Sequence, residues 1–181
     1  MNRTVERTLA ILKIIANSEH GITLQEIANQ MDMAKSSNFA IVHTLLELNY
    51  ISTVENNDKK YCLGVETFAL GMKYANNQSL VQQCVIHLPA LAEKYNKTAF
   101  LGILNGSNVV YLYKYVAENA RLATCSIGSS KPAHATALGK ALIAFLPPKA
   151  QRTLIDNIEL TSYTDQTISS KAVSYTHLTL P

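Results

Sequence analysis

Apolar positions recur at helical spacing through the first fifty residues. Val5, Leu9, Leu12 and Ala16 fall at i, i+4, i+7 and i+11, one stripe of a 3.6-residue period. A polar run, Asn17-Ser18-Glu19-His20-Gly21, ends that helix. Thr23-Leu24-Gln25-Glu26 then has the pattern of a capping box, in which Thr23 and Glu26 satisfy each other's backbone amides. Leu24, Ile27, Ala28 and Met31 give the next helix one apolar face. A tight turn at Asp32-Met33 follows. Ile41, Val42, Leu45 and Leu48 form a third stripe, and Lys35, Ser36, Ser37, Ala40, His43, Thr44 and Glu47 line the opposite face. Asn38 is read with the small polar residues at the front of this helix.

Further along, the period shortens. Tyr50-Val54 and Lys60-Leu63 read as strands, with Glu55-Asn56-Asn57-Asp58-Lys59 as the hairpin loop between them. Three helices and a hairpin are the plan of a winged helix-turn-helix. Residues 64–74 are expected to be helical, with Val65, Phe68, Ala69 and Met72 on one side. The polar stretch 75–79 is the best domain boundary, and 80–95 reads as one more helix. Residues 98–104 and 109–115 are strand-like runs around Asn105-Gly106-Ser107-Asn108, a strong hairpin signal. A third strand is expected at 122–127, a loop at 128–133, a helix at 136–145 ended by Pro147-Pro148, and a short helix at 151–158. The fold class is therefore α+β in two domains, the second built on an antiparallel sheet.

Charge sharpens this picture. The net charge of the chain is +3, but residues 1–79 hold seven Lys or Arg against eight Asp or Glu. That excludes a nonspecific polycation, so an anionic partner must be met by the local clusters Arg3/Arg7, Lys35 and Lys59/Lys60. An α-helix fits the major groove of DNA, where base edges carry a distinct donor and acceptor pattern. In a helix-turn-helix the first residues of the second helix meet those edges. Small side chains there permit close approach, and Lys35 can neutralise a phosphate or reach a guanine edge. Lys59 and Lys60 suit a wing tip lying along the backbone. The plain alternative is a solvated helix face and an ordinary charged turn.

The chain "ERTLAILKIIA…GITLQEIANQMDMAKSS…HTLLELNYI…YCLGVETFALG" resembles the N-terminal half of the IclR family of bacterial transcription regulators. "GSSKPAHATALGKALIAFLP" resembles that family's effector-domain signature, and "YTDQTIS" its next segment. The match runs from about Arg3 to Ser169. It implies a winged helix-turn-helix over residues 1–64, a linker helix over 65–79 and a C-terminal α/β effector-binding domain of GAF/PAS-like type over 80–171. That domain is expected to be incomplete, because the family continues with further strands. Residues 172–181, "AVSYTHLTLP", are expected to be a tail foreign to this pattern.

The family's recognition helix opens with Pro-Lys-Ser-Thr, commonly followed by Val-His-Arg. This chain has Ala34-Lys35-Ser36-Ser37 and then Asn38-Phe39-Ala40. Lys35 and Ser36 carry over directly and Ser37 conservatively, but the His-Arg pair is replaced by Phe39-Ala40. The expected DNA-contacting residues are Thr23, Gln25, Lys35, Ser36, Ser37, Phe39, Ala40, His43, Lys59 and Lys60, with Ala40 against a thymine methyl and His43 near phosphate. In the sensor half, Ser129, Ala133, Ala135, Thr136 and Ala137 border the expected effector site. The start of a helix there favours a carboxylate through its dipole and unpaired amides. A purely structural role for the signature, with Gly128 and Gly139 shaping the turn, weighs equally for any one residue.

The implied partners are double-stranded operator DNA, a small organic acid and a second copy of the chain, as a homodimer or dimer of dimers. No membrane partner is expected, since no apolar run is long enough to span a bilayer. Cys62, Cys84 and Cys125 are odd in number and widely spaced, which fits free thiols in a reducing cytoplasm. No cofactor or metal is implied. His134 reads as a loop or surface histidine without suitably spaced co-ligands. Cys84 and His87 lie one helical turn apart and read as core or dimer residues. No P-loop, GxSxG or HExxH pattern is present, so an enzyme is the weaker class. A sensor or scaffold whose helical domain only mediates dimerisation is the main alternative.

Overall fold

The computed structural model describes residues 2–77, 79–120 and 125–178. The chain divides into two compact units, Met1–Asn77 and Gln78–Pro181. In the first, α1 (Arg3–Ala16), α2 (Leu24–Met31) and α3 (Lys35–Glu47) surround a small sheet. That sheet has the order β1-β3-β2, from β1 (Ile22–Thr23), β2 (Ile51–Val54) and β3 (Asn57–Leu63), all antiparallel. Helix α4 (Val65–Asn77) follows. This is a winged helix-turn-helix.

The core of this unit is Ile11, Ile15, Ile22, Ile27, Val42, Leu45 and Ile51. Full burial of each such side chain is worth roughly 1.5–3 kcal/mol. The buried stripe of α1 is therefore Ile11 and Ile15. The expected stripe is not: Val5 and Leu9 are each 54% exposed. Helix α1 carries two apolar stripes of the same period, and packing against α2 and β3 selects one. Asn38, expected at the polar front of α3, is fully buried.

The hairpin is tighter than the sequence suggests. Its turn is Glu55-Asn56, with Asn56 at φ 61°, and β3 begins at Asn57. The register jumps from Thr53↔Tyr61 to Val54↔Asn57, which leaves Asp58, Lys59 and Lys60 as a bulge facing no residue of β2. Lys60 instead pairs with Thr23 of β1. Lys59 and Lys60 thus lie on a strand rather than at the wing tip.

In the second unit, the single helix expected over 80–95 is two, α5 (Ser79–Val85) and α6 (Leu88–Tyr95). Pro89 is the reason. It has no amide to donate and its ring clashes with the carbonyl four residues back, yet it is welcome in a first turn. Strands β4 (Thr98–Asn105) and β5 (Asn108–Val116) form the expected hairpin, with Gly106 at φ 59°. The third strand of the sheet is β6 (Ser130–Pro132), inside the stretch expected to be a loop. The strand expected at 122–127 falls partly on 121–124, outside the described residues; Cys125–Ile127 is not strand.

The sheet, ordered β4-β5-β6, is covered on both faces. Leu88 and Ala92 of α6 pack with Ala99 and Ala117. On the other side Val109, Tyr111 and Ala133 pack with Ile143 of α7 (Ala137–Ala144) and Ile155 of α8 (Pro148–Asn157). The chain then continues into α9 (Lys171–Leu178), which takes in most of the stretch 172–181 expected to be a foreign tail; 179–181 fall outside the described residues. Ser174 is buried, and Tyr175 joins the core cluster and donates to Asp156 Oδ1 at 2.8 Å. Among the described residues, no helix is long and apolar enough to cross a membrane.

Candidate nucleic-acid interface and sensor site

Helices α2 and α3 begin differently, and that contrast defines the first site. At α2 the capping box is complete: Glu26 N donates to Thr23 Oγ1 at 3.3 Å, and Thr23 N donates to Glu26 Oε2 at 2.8 Å. The Thr23 hydroxyl also donates to Glu26 Oε2 at 2.8 Å. These bonds from Thr23, backbone first, hold the Glu26 carboxyl below its ordinary value, and Lys60 adds to the effect. The Thr23 proton is therefore spent within the cap, and its expected contact with DNA reduces to accepting. Gln25 is exposed and donates to Asn29 Oδ1 at 3.0 Å.

Helix α3 has no such cap. Ala34 occupies its N-cap and makes no side-chain hydrogen bond. Ser37 N already donates to Ala34 O at 3.1 Å, but the Lys35 and Ser36 amides precede the helical bonding pattern, so the front of α3 presents these two donors and the positive end of the helix dipole. Lys35, Ser36 and Ser37 are exposed there. Ser36, Phe39, Ala40 and His43 share one face, by the i, i+3, i+4, i+7 rule. Phe39 lies against His43 with ring centroids 5.7 Å apart, and His43 Nδ1 is 3.3 Å from Glu47 Oε1. These four of the expected residues thus lie on one exposed face of α3. Lys59 is exposed on the bulged strand, whereas Lys60 is half-buried beside Glu26.

Asn38 points the other way. Its Nδ2 reaches Ala34 O at 3.4 Å, and its Oδ1 is buried with no partner among the described residues. Helix α4 is also unusual: none of its residues is buried, and Val65, Phe68, Leu70, Met72 and Tyr74 are all exposed. Of the stripe Val65, Phe68, Ala69 and Met72, only Ala69 is half-buried.

The second site is the entry to α7. Thr136 caps the helix by accepting from Gly139 N at 3.0 Å. Gly139 is required by sterics, since an added Cβ would stand 2.2 Å from Ala133 O. Tyr111 of β5 hydrogen-bonds Thr136, and burial, with Cys125 beside it, pushes its phenol up from the usual value. Ala135, Thr136 and Ala137 are accessible. Ala133 is not: its side chain is fully buried and its amide donates to Ser107 O at 2.9 Å, so it forms the floor. The Ser129 hydroxyl donates to Ser126 O at 2.6 Å and contacts Cys125 Sγ at 3.1 Å, which leaves it no proton for a ligand.

His134 also departs from expectation. It is buried rather than on the surface, with Nε2 3.0 Å from Thr161 O, its ring beside Tyr163, and Nδ1 unpartnered among the described residues. Tyr111 and Cys125 were missed by sequence reasoning. The alternation of β5 could have placed Tyr111, whose inward neighbour Val109 is two residues away. Nothing local marked Cys125. Among the described residues, no group of three potential metal ligands comes together.

Comparison with known proteins agrees with both halves. Residues 4–55 match the model of the IclR helix-turn-helix domain, and residues 72–176 match that of the bacterial transcriptional regulator IclR C-terminal domain. The chain is 31% identical over 169 residues to the HTH-type transcriptional regulator XynR of Escherichia coli K12, covering 93% of this chain and 67% of XynR. It spans about two thirds of that relative's length. The fold is that of an IclR transcriptional regulator from Alicyclobacillus acidocaldarius, with a TM-score of 0.81 at 21% identity, over 98% of this chain and 72% of that one. An IclR homologue from Microbacterium hydrocarbonoxydans, crystallised with 4-hydroxybenzoate, superposes with a TM-score of 0.79 at 16% identity, over 97% and 72% of the two chains. With a helix-turn-helix and an effector-type domain matched in order along its length, this chain belongs to the IclR family of bacterial transcriptional regulators.

Proposed function

We propose that the protein reads operator DNA with the front of α3 and adjusts that binding to a small, carboxylate-bearing metabolite held near the start of α7. The observation that carries the DNA reading is the α3 front without a side-chain cap, with Lys35, Ser36 and Ser37 exposed and the Lys35 and Ser36 amides ahead of the helical bonding pattern. A phosphate supplies the missing cap, because helix N-termini favour anions. Lys59 follows the backbone from the bulged strand. The exposed apolar side of α4 supports a homodimer or dimer of dimers, in which two recognition helices read two half-sites. Val65, Phe68, Ala69 and Met72 form the joining stripe. Bacterial DNA lies in the cytoplasm, and that is where we place the protein.

For the sensor, the support is the start of α7, where Thr136 is half-buried and Ala137 exposed, next to the buried Tyr111. The homologue that carries 4-hydroxybenzoate is a relative that binds a small organic acid. The decisive experiment is fluorescence anisotropy against palindromic duplexes over a salt series. Binding is expected to fall steeply with salt. Lys35→Ala should weaken it across sequences and reduce the salt slope by about one. Full affinity and an unchanged slope in that variant would remove the docking.

A further inference from the structure

The recognition face of α3 holds one large apolar side chain out in solvent. Phe39 is 54% exposed, while the helix buries Asn38, Val42 and Leu45 on its opposite side. Its ring does not reach the core. It rests on His43, which is in turn held at 3.3 Å by Glu47, so residues 39, 43 and 47 form a brace along the helix. The ring stands next to Ala40 on this face, and the two make an apolar patch flanked by Ser36. No Arg lies between residues 34 and 47, so the guanidinium fork that reads guanine bidentately is missing. The one Asn in that stretch is buried and cannot reach adenine.

In the major groove the apolar group on a base edge is the C5 methyl of thymine, and Phe and Ala are side chains that meet it. We infer that Phe39 and Ala40 read C5-methylated pyrimidines, so that the half-site carries thymine under this patch and loses affinity when the methyl is removed. The inference rests on the docking of α3 proposed above and names what that helix selects. Desolvating a methyl group on an apolar ring is worth enough to shift a dissociation constant by about three- to tenfold.

The test uses the full chain. Bound duplexes are selected from a randomised pool, and each thymine of the best half-site is then replaced by deoxyuridine, which keeps the pairing and removes the methyl. One or two positions are expected to lose about three- to tenfold in affinity at fixed salt. That loss should vanish in Phe39→Ala or Ala40→Gly, and persist in Phe39→Leu. At the same position a cytosine should bind better once it is 5-methylated. Because Phe39 is exposed, these variants should fold, which circular dichroism checks. If deoxyuridine is tolerated at every position while Lys35→Ala still lowers salt-dependent binding, the methyl reading fails and the docking stands. If no duplex is bound, both fail. If Phe39→Ala instead changes the sedimentation of the free protein, the ring belongs to a contact between copies and the inference is overturned.

Discussion

Asn38 is sealed inside the N-terminal unit with Oδ1 unanswered and only a long 3.4 Å bond from Nδ2. A buried polar atom without a partner costs about 1–3 kcal/mol. Val has nearly the same size and no polar atom to satisfy, so Asn38→Val should raise stability by roughly 1 kcal/mol, read as a higher midpoint in chemical denaturation. A lower midpoint would show that the carbonyl oxygen is satisfied in solution. Gly139 works in the opposite direction. Its missing Cβ is what lets α7 sit on Ala133, and Gly139→Ala should cost about 1–3 kcal/mol by forcing the two backbones apart. The packing role of Gly139 was one of the readings the sequence allowed, but the inward turn of Asn38 was not. Asn38 looked like its neighbours Ser36 and Ser37, and only the direction in which α3 faces its partners separates them.

Helix starts carry the next level of the argument. The α2 cap depends on an ionised Glu26, whose folded carboxyl lies below its ordinary value of 4.5 because Thr23 donates to it. The folded state therefore binds a proton less readily than the unfolded chain. The cap's contribution is complete above the unfolded value and is lost as pH falls through the folded one. Glu26→Gln should flatten the acid limb of the melting curve while leaving the Thr23 hydroxyl to cap the helix. An unchanged acid limb would mean that the carboxylate does not matter. Capping-box spacing made this element legible from sequence. The split between α5 and α6 was also written there, in Pro89, but the apolar period running through it concealed the break. The wing was readable as a hairpin and misread in its register, because a bulge depends on which residues β1 and β2 offer as partners.

At the scale of the molecule, the exposed apolar surface of α4 decides more than any single contact. Phe68 is 68% exposed on a helix with no buried residue. If two copies join there, Phe68→Asp should shift sedimentation equilibrium toward monomer and weaken binding to a palindrome far more than to a half-site. Unaltered mass would place the joining surface elsewhere. The sensor unit makes a separate prediction. A carboxylate held at the start of α7 should protect the fold against heat in wild type and less in Thr136→Val, which keeps the shape but loses the hydroxyl. Equal protection in both would move the ligand away from Thr136.

The sequence by itself determined the three N-terminal helices with their hairpin, the capping box, the β4–β5 hairpin and the family, because each rests on residues close in the chain or on motifs quoted whole. Tertiary structure alone decided which of the two stripes on α1 is buried, that Asn38 and His134 point inward, that Lys60 sits beside Glu26 and opposite Thr23, and that Ser130–Pro132 is a strand of the sheet. The reason is physical. Periodicity tells which residues share a face, but a face acquires its identity from what packs against it.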